Sequence, residues 1–104
     1  MAYAKIDAGI CGFITEVEVT SHDIMQAKVK INTTCPNIQK IAAELTEVNP
    51  LEEIGNKNEH SRIRELFQRY CPHAACPVPS GLVKAIEVAA GLALPRDAHI
   101  YVSR

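Results

Sequence analysis

The sequence lacks most of the patterns that would assign a function at once. It has no run of basic residues, and 11 Lys+Arg are set against 12 Asp+Glu, so a sequence-independent grip on nucleic acid is not favoured. It has no apolar run of membrane-spanning length, and "MAYAKIDAG" lacks the features of a signal peptide. We therefore expect a cytoplasmic protein that binds neither nucleic acid nor membranes.

Known catalytic motifs are also missing. The sequence contains no glycine-rich phosphate loop, no Ser/His/Asp arrangement and no dinucleotide-binding fingerprint, which argues against an enzyme. It shows no internal repeat and no linker, and 104 residues with 47% hydrophobic residues suit one core of ordinary size. We expect a single domain over residues 1–104.

Hydrophobic periodicity predicts strands first and helices afterwards. Residues 3–9, 14–20 and 24–32 alternate apolar and polar residues, which is typical of strands with one buried face, and "SHD" at 21–23 is short enough for a hairpin turn. Helical spacing begins behind Pro36, a short helix is predicted from Asn49 to Gly55, and further helices are predicted over 59–70 and 79–92. The tail "AHIYVSR" could add an edge strand. This order predicts an α+β fold, a small antiparallel sheet of three or four strands packed by helices.

What the sequence does have is four cysteines, and all of them fall at predicted element ends. Cys11 lies between the first two strands, Cys35 precedes the first helix, Cys71 ends the amphipathic helix and Cys76 precedes the last helix. In a reducing compartment such cysteines are more often free, metal-bound or catalytic than joined in disulfides. Any one of them alone could be structural, but buried structural cysteines usually occupy periodic core positions, so the set indicates a function.

Local sequence around the cysteines favours their use as ligands. Cys35, Cys71 and Cys76 each precede a proline, which restricts the backbone of the residue before it. The helices after Cys35 and, to a lesser degree, Cys76 would favour the thiolate, the form that binds metal. His73 lies between Cys71 and Cys76 and is a further candidate ligand, whereas the other histidines are expected at the surface. These are His22, His60 and His99.

The arrangement resembles the iron–sulfur cluster assembly scaffolds of the IscU and NifU N-terminal type. The shared features are Cys11-Gly12 after a first strand, two more strands, Cys35 opening a helix, and a cysteine before the alanine-rich helix "KAIEVAA", over roughly residues 3–92. The resemblance implies that Cys11, Cys35 and Cys76 match the cluster-binding cysteines and that His73 stands in for a neighbouring histidine. It implies an antiparallel sheet packed by helices, with the ligands at one end, and partners among iron–sulfur assembly or acceptor proteins.

The sequence departs from that family at two positions that matter for ligands. Phe13 stands where the family has an acidic residue, and Cys71 is an additional thiol. The leading hypothesis is that Cys11, Cys35, Cys76 and either Cys71 or His73 bind zinc or an iron–sulfur cluster. The protein would then store, carry or sense that centre without catalysing a reaction of its own.

Two alternatives remain open at this stage. Cys71 and Cys76 could cycle between dithiol and disulfide, although the usual redox motif places two residues between its cysteines rather than four. The chain could also be a partner-binding module with a structural zinc, which would unfold on chelation. The sequence does not separate zinc from an iron–sulfur cluster, and it does not fix the oligomeric state.

Overall fold

A computed structural model describes residues 1–55 and 60–104 of the chain. These residues form an antiparallel sheet of four strands in the order β1-β2-β3-β4 with helices packed against it, which confirms the predicted α+β class. The elements are β1 (Ala2–Asp7), β2 (Ile14–Asp23), β3 (Gln26–Thr33), α1 (Pro36–Glu44), β4 (Glu47–Val48), α2 (Pro50–Glu53), α3 (Arg62–Tyr70) and α4 (Val78–Ala89).

The two central strands follow the predicted alternation. Val17 and Val19 of β2 are fully buried, and Ala27 and Val29 of β3 are buried beside them. The predicted hairpin turn at residues 21–23 is wrong, because those residues continue β2 and the turn consists of residues 24–25. The Asp23 carboxylate accepts a hydrogen bond from the backbone N–H of Met25 at 2.7 Å, an interaction that holds such turns. β4, only two residues long, is too short to show a period.

Two of the helices begin where the sequence predicts, and α3 begins at Arg62 instead of residue 59. Pro36 and Pro50 occupy the first positions of α1 and α2, where a missing N–H costs no helical hydrogen bond. Asn49 caps α2 by accepting from the N–H of Leu51, and Ser61 caps α3 by accepting from the N–H of Arg64. The part of the predicted third helix at residue 59 lies outside the described residues.

A buried carboxylate ties α2 to the start of α3. Glu53 is only 5% exposed, and it accepts hydrogen bonds from the Ser61 hydroxyl at 2.6 Å and from the N–H groups of Arg62 and Ile63 at 2.8 and 3.2 Å. A buried carboxylate needs such partners to offset its lost hydration. The first turn of α3 is therefore closed by side chains on α2 and in the preceding loop.

Helix α4 packs against β1 and β2 and supplies much of the core. Val78, Leu82, Ala85 and Ile86 are buried on its inner face. A Cβ added at Gly81 would lie 2.4 Å from Cγ1 of Ile6, so the beginning of α4 lies against the end of β1. The helix ends at Ala89, earlier than predicted, because Gly91 takes a φ of +77°, which a side chain would resist.

The C-terminal tail differs from its prediction. Residues 94–104 form no strand. An extended segment becomes a strand only when a neighbouring backbone accepts its hydrogen bonds, and in the part of the chain that the structure describes no strand pairs with this tail. Within residues 1–55 and 60–104, no helix has both the length and the apolar character needed to cross a bilayer.

Candidate thiol site

The cysteine-bearing segments converge on one end of the sheet. Asp7 pairs with Ile14, and Thr15 pairs with Thr33, so the β1–β2 loop and the segment that leaves β3 share that end. The contact between Gly81 and Ile6 brings the start of α4 there as well. Cys11, Cys35 and Cys76 therefore lie at the same end of the domain.

Cys35 is held by backbone hydrogen bonds at the N-cap position of α1. Its own N–H donates to Oγ1 of Thr33 at 3.2 Å, and its carbonyl accepts from the N–H of Gln39 at 2.9 Å. Its backbone is extended, with φ −72° and ψ 120°, as expected before a proline. The side chain is half-buried and packs against the core.

The carbonyl of His73 organises the other two cysteines. The N–H of Cys76 donates to it at 3.3 Å, and the Cys71 thiol donates to it at 3.8 Å. The His73 side chain is exposed and, with Cys71 and Cys76, borders a groove of about 560 Å³ between α3 and α4. Sequence reasoning considered only the imidazole, and nothing in the sequence signals the role of the carbonyl.

The pKa of Cys76 is raised, and two of the other thiols contribute to that shift. Burial is the largest cause of the raised pKa. The thiol of Cys71, which also forms a hydrogen bond with Cys76, raises it further, as does the thiol of Cys35. The N–H of Val78 donates to the sulfur and opposes the shift without cancelling it. The expectation that α4 would favour the thiolate of Cys76 is therefore wrong in net direction, because burial outweighs the helix amide.

Three of the four predicted cysteines are thus close to one another, and the fourth is not. Cys35, Cys71 and Cys76 interact and are half-buried. Cys11 does not contribute to the shift at Cys76 and is exposed in the β1–β2 loop. That loop turns through two glycines of positive φ, Gly9 at +85° and Gly12 at +76°, and the N–H of Gly12 donates to the Gly9 carbonyl at 2.9 Å.

The two helices that follow cysteines have bare N-termini. Neither α1 nor α4 has a side-chain cap or an acidic residue in its first turn. The first-turn N–H groups and the positive end of the helix dipole thus adjoin Cys35 and Cys76 without a competing carboxylate on those turns. Such amides are suited to hydrogen-bond a thiolate sulfur or a sulfide.

The thiols are neighbours without forming a finished metal site. Across the ranges 1–55 and 60–104, no three or more His, Cys, Asp and Glu side chains are arranged so that they could hold a metal ion. The donor chemistry is nevertheless that of soft metals, because thiolates select zinc and iron–sulfur centres. Three thiols would supply most of a four-ligand set.

Comparison with known proteins gives a family and no activity. The chain belongs to the family of unknown function DUF6951, whose model matches residues 2–102. No curated protein and no solved structure matches it. The resemblance to IscU and NifU scaffolds thus stays a prediction.

Proposed function

We propose that this chain, as a member of the DUF6951 family, binds a zinc ion or an iron–sulfur cluster through the thiolates of Cys35, Cys71 and Cys76. One observation carries the proposal: the thiols of Cys71 and Cys35 both act on Cys76, although Cys35 lies far from the other two along the chain. The bare helix N-termini beside Cys35 and Cys76 provide hydrogen-bond donors for the sulfurs.

A metal would relieve the electrostatic cost of bringing these thiols together. Burial opposes the ionisation of Cys76, and the neighbouring thiols of Cys71 and Cys35 oppose it further, so the pKa of Cys76 is raised. A bound cation stabilises the thiolates, and binding releases their protons. Because the side chains do not form a finished metal site, we expect loading to require a local rearrangement of the segment between Cys71 and Cys76.

The fourth ligand in this proposal is Cys11 or His73. Cys11 lies at the same end of the sheet, in an exposed loop whose glycines permit unusual backbone angles. His73 is exposed beside the thiols, and imidazole joins thiolates in zinc and Rieske-type sites. The protein would store, carry or sense the centre in a reducing compartment such as the cytoplasm. Its partners would be proteins that deliver or accept the metal or cluster.

The test is elemental analysis with an absorption spectrum on the full chain purified without oxygen. Iron with sulfide and visible absorption would identify a cluster, and an equimolar amount of zinc would identify a zinc site. The variants Cys76→Ser and Cys35→Ser should each contain at least tenfold less metal than the unaltered chain. Ala74→Ser, which adds a hydroxyl at an exposed position of the same segment, should retain it.

Equal metal content in Cys76→Ser, Ala74→Ser and the unaltered chain would contradict the proposal. Cys11→Ser and His73→Ala then identify the fourth ligand, since only the true ligand should lower metal affinity when it is replaced. Chelation followed by circular dichroism separates a carried centre, which leaves the fold intact, from a structural zinc, whose removal unfolds the domain.

A dithiol–disulfide couple is the second candidate, favoured by the hydrogen bond between the Cys71 and Cys76 thiols. The two thiols would give two electrons and two protons to a disulfide substrate, which is reduced to two thiols while an S–S bond forms between Cys71 and Cys76. Mass spectrometry after treatment with oxidised glutathione should then show a reversible loss of two hydrogens in the peptide containing both cysteines. A peptide that gains only glutathione adducts would exclude the couple.

A further inference from the structure

The C-terminal segment, defined here as residues 98–103, has the sequence of a strand but pairs with no strand within residues 1–55 and 60–104. Ala98, Ile100 and Val102 alternate with His99, Tyr101 and Ser103, a pattern typical of a strand with one buried face. Yet Ile100, Tyr101 and Val102 are 84%, 90% and 84% exposed. Contiguous apolar exposure of this kind marks an interaction site.

The outer edge of β1 offers the complementary surface. In the described part of the chain, β1 lies at the edge of the sheet and pairs only with β2, so the backbone groups on its other side have no strand partner. Ala4 and Ile6, which pack toward the core from β1, are only partly buried, whereas Val17 and Val19 of β2 are fully buried. The core is therefore incompletely covered beside this edge.

We propose that the C-terminal segment of one copy of the chain pairs with the outer edge of β1 in a second copy, and that the exchange is reciprocal. The segment spans as many residues as β1, which has six. Added as a strand, it would place Ala98, Ile100 and Val102 beside Ala4 and Ile6 over the thin part of the core. His99, Tyr101 and Ser103 would lie on the open face of the sheet.

The stoichiometry of the exchange favours a second copy as the occupant. Each chain carries one β1 edge and one such segment, so a twofold exchange satisfies both and doubles the buried surface. The proposal does not depend on metal binding.

The test is the molar mass of the full chain, measured by size-exclusion chromatography with light scattering over a range of concentrations. The unaltered chain should be a dimer. The double variant Ile100→Lys/Val102→Lys should be a monomer, with a dissociation constant raised at least a hundredfold, because two charges would enter the apolar side of the added strand.

The matched control is His99→Lys/Ser103→Lys, which places the same two lysines on the opposite side of the segment and should remain dimeric. Both variants should keep the helical circular dichroism of the unaltered chain, because these side chains are exposed in the single chain and their replacement does not disturb its core. A monomeric unaltered chain would overturn the proposal, as would a dimer that survives Ile100→Lys/Val102→Lys. Equal dissociation of both variants would also overturn it, since only added charge would then matter.

Discussion

Helices α2 and α3 begin with side-chain caps, whereas α1 and α4 begin beside cysteines and have none. The first pair also carries acidic residues in the first turn, and the second pair does not. Capping and first-turn acids stabilise a helix. Their absence at the two cysteine-bearing starts leaves amides and positive potential beside sulfur, which suggests that these starts serve binding at some expense of stability.

The largest effect is expected at the best-capped start. Glu53→Gln should lower the free energy of unfolding by about 1–3 kcal/mol, because an amide cannot accept all the hydrogen bonds that Ser61, Arg62 and Ile63 donate to the carboxylate. Urea denaturation measures this change. Glu18→Gln, an exposed site on β2, is the control and should change stability little. An equal decrease in the free energy of unfolding of Glu53→Gln and Glu18→Gln would show that the buried hydrogen bonds of Glu53 do not add to stability.

A smaller loss is expected at the other capped start. Asn49→Ala should cost about 1 kcal/mol, because the N–H of Leu51 loses the side-chain oxygen that accepts from it at 3.0 Å. Thermal unfolding of the metal-free protein is a suitable measurement. Asn37→Ala, within α1 and away from a cap position, serves as the comparison. An unchanged melting temperature in Asn49→Ala would show that the side-chain cap does not stabilise α2, which would then not differ in this respect from the uncapped helices α1 and α4.

At the uncapped start of α1 we expect a substitution to increase stability. Cys35→Ser should raise the stability of the metal-free protein by about 0.5 kcal/mol or more, because serine at an N-cap with extended backbone can accept from a first-turn N–H. The same variant should lose metal. Denaturation and metal content measured on one preparation test both effects, and a destabilised metal-free Cys35→Ser would show that the thiol itself fits the cap better than a hydroxyl.

The smallest effect concerns ionisation. Since the pKa of Cys76 is raised, its thiolate fraction continues to increase at pH values where an unshifted thiol has already levelled off. Alkylation of Cys76 by iodoacetamide, followed by peptide mass spectrometry, should therefore level off at higher pH in the folded chain than in the urea-unfolded chain, where burial is lost. In Cys71→Ser the Cys76 profile should move part of the way back, because burial, the larger cause, remains. A Cys76 profile that lies at lower pH in the folded chain than in the unfolded chain would contradict the burial argument.

Much of the fold could be predicted from local signals. Strand alternation, Pro36, Pro50 and Asn49 place the strands and two helix starts because each acts within a few residues. The hairpin turn was misplaced because "SHD" resembles a turn, while the strand continued through it with an irregularity between Ser21 and Asp23. The tail was mispredicted as an edge strand because periodicity describes a strand without revealing whether an edge receives it.

The candidate site was only partly accessible to sequence reasoning. The sequence predicts a site of Cys11, Cys35, Cys76 and either Cys71 or His73, whereas the thiols that raise the pKa of Cys76 in the structure are those of Cys71 and Cys35. The net ionisation of Cys76 was missed because burial depends on the whole fold, while the helix amide is visible locally. The buried carboxylate of Glu53 was also missed, because its partners at residues 61–63 become neighbours only after folding.

The carbonyl of His73 accepts hydrogen bonds from both the Cys71 thiol and the Cys76 amide, so a single oxygen atom links the two residues. Removing the proton from Cys71 removes one of its two donors, and the remaining hydrogen bond from the Cys76 amide must then strengthen or rearrange. The Cys76 amide proton resonance would thus report a chemical event at the other sulfur, and His73, whatever its imidazole does, transmits that event through its backbone.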